Sequence, residues 1–254
     1  MQVQHVPVLG VAYWMAFAAI SVLGTNVSDL VIAWVKPWGG DVYLLLPLLI
    51  ATFAAILALE GRDRSATQAW YWLAVGIAPT LSNDLAITAV TYLGLGRPWV
   101  FAGLVVILFV ATMAFQSDVA RLIAVRLLER PHPTPPVSDA SYWIALVLAS
   151  VTGTLASDYL TFTLELGPRE TVLVLTIPLA LAIVYNVLHN TNHMLAYWMM
   201  VVVLNAFGGA AGLLLAADPQ AGIGLPASIG MLGVVLAVVL RGVPNGAGDV
   251  RQTR

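Results

Sequence analysis

The sequence predicts an all-α, polytopic transmembrane helix bundle of about eight spans, arranged as four parallel two-helix repeats. Hydrophobic residues make up 60% of the chain and charged residues only 9%, whereas about 25% of a typical soluble domain is charged. The mean hydropathy is +0.89. A motif that begins with Tyr-Trp recurs along the chain, and such self-similarity indicates tandem repeats of one structural unit.

Composition also narrows the classes of function. The formal net charge of −2 is too small to favour nucleic acid or another polyanion as a partner. The chain has 0 cysteines, which excludes disulfides, thiolate metal sites and cysteine nucleophiles. The first ten residues carry no basic cluster. We therefore interpret the apolar stretch after them as a first span and not as a cleaved signal.

A transmembrane helix needs about 20 mostly apolar residues. We predict spans at roughly 9–34, 42–59, 69–93, 98–116, 140–164, 171–188, 194–216 and 222–240. Proline and glycine lie in the connections between them. The longest polar connection, Arg126 to Asp139, contains four prolines, which is typical of an extended linker.

The spans form a single integral membrane domain over residues 1–254, in which each repeat joins a motif-bearing odd helix to a plainer even helix. We expect repeat units at approximately 8–66, 67–137, 138–191 and 192–241, followed by a short cytoplasmic tail at 242–254. All odd helices then cross the bilayer in the same direction, so the repeats are parallel and not inverted.

Basic residues predict the orientation, because cytoplasmic loops of membrane proteins are enriched in Lys and Arg. The side with both termini holds Arg62, Arg64, Arg121, Arg126, Arg130, Arg241, Arg251 and Arg254. The other side holds Lys36, Arg97 and Arg169. We therefore expect a multi-pass protein of the bacterial inner (plasma) membrane with both termini in the cytoplasm.

Three copies of the motif end in an aspartate within a span. They run from Tyr13 to Asp29, from Tyr71 to Asp84 and from Tyr142 to Asp158. The fourth, Tyr197 to Leu213, keeps the Tyr-Trp pair and the small residues but lacks the acid. An ionisable side chain in lipid is costly, so a recurring one is a functional-site hypothesis by default.

Each of these acids has a threonine four residues before it, and residues four apart share one face of a helix. Small residues at the same spacing let helices approach closely. We therefore expect strips of small and hydroxylated residues that face the protein interior. The candidate ion-handling residues are Asp29, Asp84, Asp158, Thr25, Thr80, Thr154, Ser28 and Ser157.

Two interpretations of these strips stay open. In the first, the polar residues are structural and tie neighbouring repeats together by hydrogen bonds. In the second, the carboxylates converge on a cavity and bind a cation, since hard oxygen ligands suit protons and ions such as Na⁺, Mg²⁺, Mn²⁺ or Ca²⁺. Basic residues are absent from the middle of every predicted span, which favours a protonatable acid or a bound cation.

The second copy differs in spacing, because Tyr71 precedes Asp84 by 13 residues whereas the corresponding separation is 16 in the first and third copies. We expect its aromatic pair to keep its face but to lie at a different depth. Pro79 should kink or locally open the helix. Carbonyls freed there are candidate cation ligands, so Asp84 is expected to be the most sensitive acid.

The Tyr-Trp pairs lie near the cytoplasmic start of each odd helix, which is typical of the aromatic belt at a membrane interface. A platform for a quinone or pigment is the alternative. His189 and His193 are four residues apart and form a candidate metal pair, although the residues between them favour a turn and leave two solvated histidines as the competing interpretation.

The Tyr-Trp, Gly-Thr, Ser-Asp arrangement resembles a bacterial family of multi-span membrane proteins described only as uncharacterised membrane-anchored proteins. The first copy matches at Tyr13, Trp14, Gly24, Thr25, Ser28 and Asp29, the third at Tyr142, Trp143, Gly153, Thr154, Ser157 and Asp158, and the second at Thr80 and Asp84. The chain lacks the acid that often follows the glycine in that family. The resemblance implies a fold but no established activity.

The leading functional hypothesis is a small transporter or channel for protons or metal cations that uses the intramembrane aspartates. The alternative is a non-catalytic assembly or scaffold subunit that binds a partner protein, lipid, quinone or pigment. We expect no enzyme, since no nucleotide loop or nucleophile–base pair is present. The expected partners are the lipid bilayer and a cation, and a homo-oligomer or larger membrane complex stays open. The sequence identifies no cofactor.

Overall fold

The fold is seen in a computed structural model of the chain. It describes residues 7, 9–38, 42–62, 68–115, 138, 140–189, 194–220 and 222–243, apart from the side chains of 42–44, 112–115, 186–189 and 194–195. All regular secondary structure in these residues is helical. The expected all-α bundle is therefore confirmed.

Eight α-helices are described. They are α1 Val11–Val35, α2 Val42–Arg62, α3 Ala69–Ile87, α4 Arg97–Phe115, α5 Ala140–Asp158, α6 Gly167–His189, α7 Met194–Ala217 and α8 Leu225–Arg241. Three short helical turns extend them: a 3-10 turn at Lys36–Trp38 after α1, and π-helical turns at Thr88–Tyr92 after α3 and Tyr159–Thr163 after α5.

Most of these helices have the length and composition of membrane spans. Six are long and apolar enough to cross a bilayer, and the two shorter apolar stretches are Arg97–Ala111 in α4 and Leu225–Arg241 in α8. A helix that is apolar all round is suited to a membrane or to the interior of a large protein. The helices are thus compatible with a multi-pass membrane protein.

The odd-numbered helices form a closed inner ring. Going round it, α1 packs against α3, α3 against α5, α5 against α7, and α7 against α1. Each even-numbered helix lies outside and packs mainly against the inner helix that follows it: α2 on α3, α4 on α5 and α6 on α7. The last outer helix, α8, packs on α1, so the outer layer is cyclic as well.

Four tyrosines fix the register of the inner ring. The hydroxyl oxygens of Tyr13, Tyr71, Tyr142 and Tyr197, which we call the tyrosine tetrad, form a closed cycle of hydrogen bonds. The oxygen–oxygen distances are 2.6 Å for Tyr13–Tyr71, 2.8 Å for Tyr71–Tyr142, 2.7 Å for Tyr142–Tyr197 and 2.7 Å for Tyr13–Tyr197. Because all four lie near the N-terminal ends of their helices, the inner helices are parallel, as expected.

Glycines lie where inner helices approach most closely. A Cβ added to Gly153 of α5 would lie 2.5 Å from the carbonyl oxygen of Val202 in α7, and one added to Gly208 of α7 would lie 2.6 Å from Cβ of Ser21 in α1. These distances leave no room for a methyl group. The predicted strips of small residues therefore do face neighbouring helices, including the strip of the acid-free fourth copy.

Exposed tryptophans lie at the end of the bundle opposite the tetrad. Trp34 and Trp38 close the first span and Trp99 begins α4, with exposed fractions of 73%, 82% and 82%. Tryptophans at this position are typical of the aromatic belt at a membrane interface. These three tryptophans, and not the repeated Tyr-Trp pairs, have the exposure expected of residues in such a belt.

Candidate functional site

A connected cluster of polar side chains that includes two carboxylates lies between α1 and α3. Ser28 of α1 donates its hydroxyl proton to Asp84 Oδ1 of α3 at 2.7 Å, and the amide Nδ2 of Asn83 donates to Ser28 Oγ at 3.0 Å. The same amide nitrogen lies 3.5 Å from Asp29 Oδ1, a long contact. We call Ser28, Asp29, Asn83 and Asp84 the aspartate cluster.

Burial differs sharply between the two carboxylates of the cluster. Asp84 is only 1% exposed, whereas Asp29 keeps part of its surface accessible. An ionised carboxylate enclosed by apolar helices is costly unless a proton, a cation or several donors compensate its charge. Ser28 is the hydrogen-bond donor seen on the Asp84 carboxylate, so Asp84 is a buried acid whose charge needs a proton or a cation to compensate it.

The tetrad shows that Asp84 is not the equivalent of Asp29 in the repeat. The tyrosine hydroxyls lie together, and Asp84 comes 13 residues after its tyrosine whereas Asp29 comes 16 after its own. At 1.5 Å per residue, this shift of three residues is about 4.5 Å along the helix. The expectation that the second aromatic pair would differ in depth is wrong, because the acid is the group that is displaced.

The π-helical turns support this register. Each begins 17 residues after the tyrosine of its repeat, at Thr88 and at Tyr159. In both turns a later backbone N–H donates five residues back, from Leu93 to Thr88 at 3.1 Å and from Leu164 to Tyr159 at 2.9 Å. Such turns are rare and frequently lie at functional sites. Here they follow the helical segments that carry the second and third aspartates.

Asp158 has surroundings of its own. It is partly buried at the end of α5 and interacts electrostatically with both Asp29 and Arg97. The Arg97 guanidinium carbon lies 5.7 Å from the ring centroid of Phe162, and its Nε is buried without a hydrogen-bond partner. Arg97 could not be predicted as a partner from sequence, because it lies at the start of a span in sequence but near Asp158 in space.

The threonines play unequal roles. Thr80 donates its hydroxyl to the carbonyl oxygen of Gly24 in the neighbouring helix at 3.0 Å. Thr25 instead donates to the carbonyl of Ser21 in its own helix at 3.2 Å. Thr154 and Ser157 are buried in α5, and a Cβ added to Gly209 would lie 3.1 Å from Ser157 Oγ. Thr80 therefore joins two repeats, whereas Thr25 stabilises one helix turn.

The expectation that Pro79 opens its helix is wrong. The chain is α-helical from Ala69 through Pro79 to Ile87. A Cβ on Gly24 would lie 2.7 Å from Cβ of Pro79, so the proline ring packs on the glycine of α1. The non-α backbone comes later, in the π-helical turn that begins at Thr88.

The Tyr-Trp pairs face inward, so the prediction that they form an interfacial belt is wrong. The tetrad side chains are 0–5% exposed. Each tyrosine ring packs edge-to-face on the tryptophan of its own repeat, at centroid distances of 5.0–5.4 Å. Each also packs at a tilt on the tryptophan of the next repeat, at 5.4–5.7 Å. Hydroxyls that hydrogen-bond to one another explain the burial, since buried phenols need partners.

Metal ligands do not cluster in the described part of the chain. No group of three or more His, Asp or Glu side chains there is placed to hold a metal ion. Of the candidate metal pair, His189 ends α6, and its side chain lies outside the described residues, as does the whole of His193. That prediction stays untested.

Two features that organise the bundle could have been found from sequence: the Asn83 amide and the repeated tyrosines. Asn83 precedes Asp84 directly, and its amide was a visible donor within the strip. The tyrosines recur at the start of every repeat, and a hydroxyl that recurs in four parallel helices can form a ring. The burial of the tyrosines on the bundle axis was not evident from sequence. The helices are apolar on all sides, so the sequence only weakly indicates which side of each helix faces the interior.

The fold and these clusters define an all-α bundle built from repeated helix pairs around a closed ring, and its long apolar helices are compatible with a multi-pass membrane protein. Residues 141–191 match the family model described as Repeat of Unknown Function (DUF347). This segment contains α5 apart from its first residue, Ala140, and nearly all described residues of the unit that α5 begins. The match agrees with the resemblance to an uncharacterised repeat family. The comparisons with curated proteins and with solved structures found no match.

Proposed function

We propose that the protein is a small membrane transporter or channel that moves protons, with the aspartate cluster as its protonatable site. The observation that carries the proposal is the 1% exposure of Asp84 among apolar helices, with Ser28 as its observed donor. A buried acid in a membrane bundle is costly and typically marks an ion or proton path.

The geometry favours a proton over a metal ion. Asp29 and Asp84 are linked through Asn83 and Ser28, so one proton can neutralise either carboxylate while the neutral side chains keep the two connected. A hard cation needs oxygen ligands that present lone pairs to it. In the cluster the Ser28 hydroxyl donates to Asp84 and the Asn83 amide presents its Nδ2 to Ser28, so these two neutral side chains act as hydrogen-bond donors and not as cation ligands.

The experiment is a proton-flux assay on the full chain in liposomes that contain a pH-sensitive dye, with a membrane potential as driving force. We expect flux above that of protein-free liposomes, and loss of it in Asp84→Asn, which keeps the shape of the side chain. Glu170→Gln is the matched control, since Glu170 is an exposed carboxylate at the start of α6. Equal flux in Asp84→Asn and Glu170→Gln would refute the role of Asp84.

A second function, a non-catalytic scaffold, is supported by the glycine contacts. Gly153 and Gly208 hold inner helices against each other at distances that allow little rearrangement, as a static assembly subunit would require. Wild-type flux equal to that of protein-free liposomes, together with a larger complex detected on mild extraction from the membrane, would favour this function over transport.

A further inference from the structure

The bundle axis has two chemically distinct halves. In all four inner helices the seven residues that follow the tetrad tyrosine are apolar: WMAFAAI in α1, WLAVGIA in α3, WIALVLA in α5 and WMMVVVL in α7. Seven residues of helix span about 10 Å. We call this segment the apolar collar.

Side chains of the collar fill the centre of the bundle. Three sets of four residues, one from each inner helix, are at most 3% exposed and belong to one core cluster. They are Ala16, Ala74, Ala145 and Met200; Phe17, Val75, Leu146 and Val201; and Ile20, Ala78, Ala149 and Leu204. A hydrophobic constriction of this kind excludes water and ions.

Polar side chains begin immediately beyond the collar. Ser21, Ser150 and Asn205 each lie eight residues after their tyrosine and are buried. The aspartate cluster follows, and Asp29 and Asp158 keep part of their surface exposed. The polar half is therefore continuous with the end of the bundle opposite the tetrad.

We propose that the tyrosine tetrad and the apolar collar form a closed gate, so that in this conformation the aspartate cluster is reached only from the opposite end of the bundle. The tetrad is suited to a reversible closure. Its hydroxyls satisfy one another while the helices are together, and near the end of the bundle each can exchange its partners for water when the helices separate. Such exchange makes the net contribution of each of these hydrogen bonds small, so the ring can open without a large loss of hydrogen bonding.

The absence of cysteine from the chain allows a direct accessibility test. Thr25→Cys places one thiol in α1 beyond the collar, at a partly exposed position. A charged, membrane-impermeant thiol reagent is then applied separately to each side of vesicles that contain the full chain. We expect modification from the aspartate end and protection from the tyrosine end.

Opening the ring should remove that protection. Tyr71→Phe deletes the hydroxyl that bonds to both Tyr13 and Tyr142, and we expect it to make the thiol reactive from the tyrosine end while the rate from the aspartate end is unchanged. Tyr159→Phe, which removes a hydroxyl from the π-helical turn after α5, is the matched control and should leave the protection intact. Tyr13→Phe also opens the ring, at the bonds of Tyr13 to Tyr71 and Tyr197, and serves if Tyr71→Phe fails to fold.

Two results would overturn the gate. One is modification from the tyrosine end while the tetrad is intact. The other is a lower melting temperature in Tyr71→Phe and Tyr13→Phe with protection equal to that of Tyr159→Phe, which would assign the tetrad a purely structural role. The inference rests on the proposed transport function, but labelling needs no flux. Loss of the gate and failure of Asp84→Asn to change flux are therefore separate outcomes.

Discussion

Ser28 donates a 2.7 Å hydrogen bond to Asp84 and thereby joins two repeats through positions that are not equivalent within them. Ser28 comes 15 residues after its tyrosine and Asp84 comes 13 after its own. A strictly symmetric ring would place each acid beside the same neighbour. The displaced acid instead concentrates two carboxylates at the α1–α3 contact, whereas Asp158 lies at the end of α5 and interacts with Arg97 as well as with Asp29.

The first prediction concerns this bond. Ser28→Ala and Asp84→Ala should be coupled in a double-mutant cycle of unfolding free energies, because each removes one partner of the same hydrogen bond. Interhelical bonds in membranes contribute on average about 0.6 kcal/mol and at most about 1.7 kcal/mol, and we expect a coupling in that range. Ser28→Ala with Thr176→Val is the control pair, since Thr176 bonds within its own exposed helix. Additive energies in both pairs would contradict the bond.

The second prediction concerns the α5–α7 contact. Gly153→Ala should destabilise the protein by about 1–3 kcal/mol, the usual cost of overpacking, because its methyl group would meet backbone atoms of α7. Gly76→Ala in α3 is the matched control, since a Cβ there meets nothing within 4 Å. Removing a helical glycine should stabilise the protein by up to about 1 kcal/mol. Thermal unfolding in detergent measures the effect of both substitutions. Equal melting temperatures of Gly153→Ala and Gly76→Ala would refute the close approach of α5 to α7.

The third prediction concerns Arg97. If its positive charge stabilises ionised Asp158, Arg97→Gln should destabilise the wild-type protein more than it destabilises the Asp158→Asn protein. Lys36→Gln supplies the comparison, because Lys36 is an exposed basic residue after α1. The measurement is the unfolding free energy of the wild type, Asp158→Asn, the variant of the basic residue and the double variant, for Arg97→Gln and for Lys36→Gln in turn. The same loss with and without the Asp158 carboxylate would show that Arg97 acts on another group.

The fourth prediction concerns orientation. The basic residues divide 8 to 3 between the two sides, so the termini should be cytoplasmic and the tyrosine tetrad should lie near the cytoplasmic end. Reporter fusions at the C-terminus and after Gly167 should report opposite compartments. A C-terminal reporter on the non-cytoplasmic side would reverse the topology and, with it, the side on which the proposed gate lies.

Much of the architecture could be predicted from local sequence. The all-α class, the parallel inner helices and the packing role of Gly24, Gly153 and Gly208 all follow from composition, repeat direction and four-residue spacing. Each of these properties is determined by the sequence of a single helix or by the recurrence of one motif along the chain. The structure therefore confirms them without further information.

Contacts between repeats could not be predicted in the same way. Matching the motifs by their acids aligned Asp84 with Asp29, whereas the tetrad aligns Tyr71 with Tyr13. The repeats can be aligned either by their acids or by their tyrosines. Only the contacts between neighbouring helices show which alignment is correct. The approach of Arg97 to Asp158 is likewise tertiary, since it depends on how α4 packs on α5.

The packing of α8 against α1 has a consequence for biogenesis. Asn26 is fully enclosed and donates to Ser228, a partner 202 residues later in the chain. At a synthesis rate of 5–20 residues per second, Ser228 is synthesised about 10–40 s after Asn26. During that interval the Asn26 amide lacks its native partner Ser228. The early spans therefore depend on the insertion machinery, or on temporary pairing with one another, until the last helix arrives.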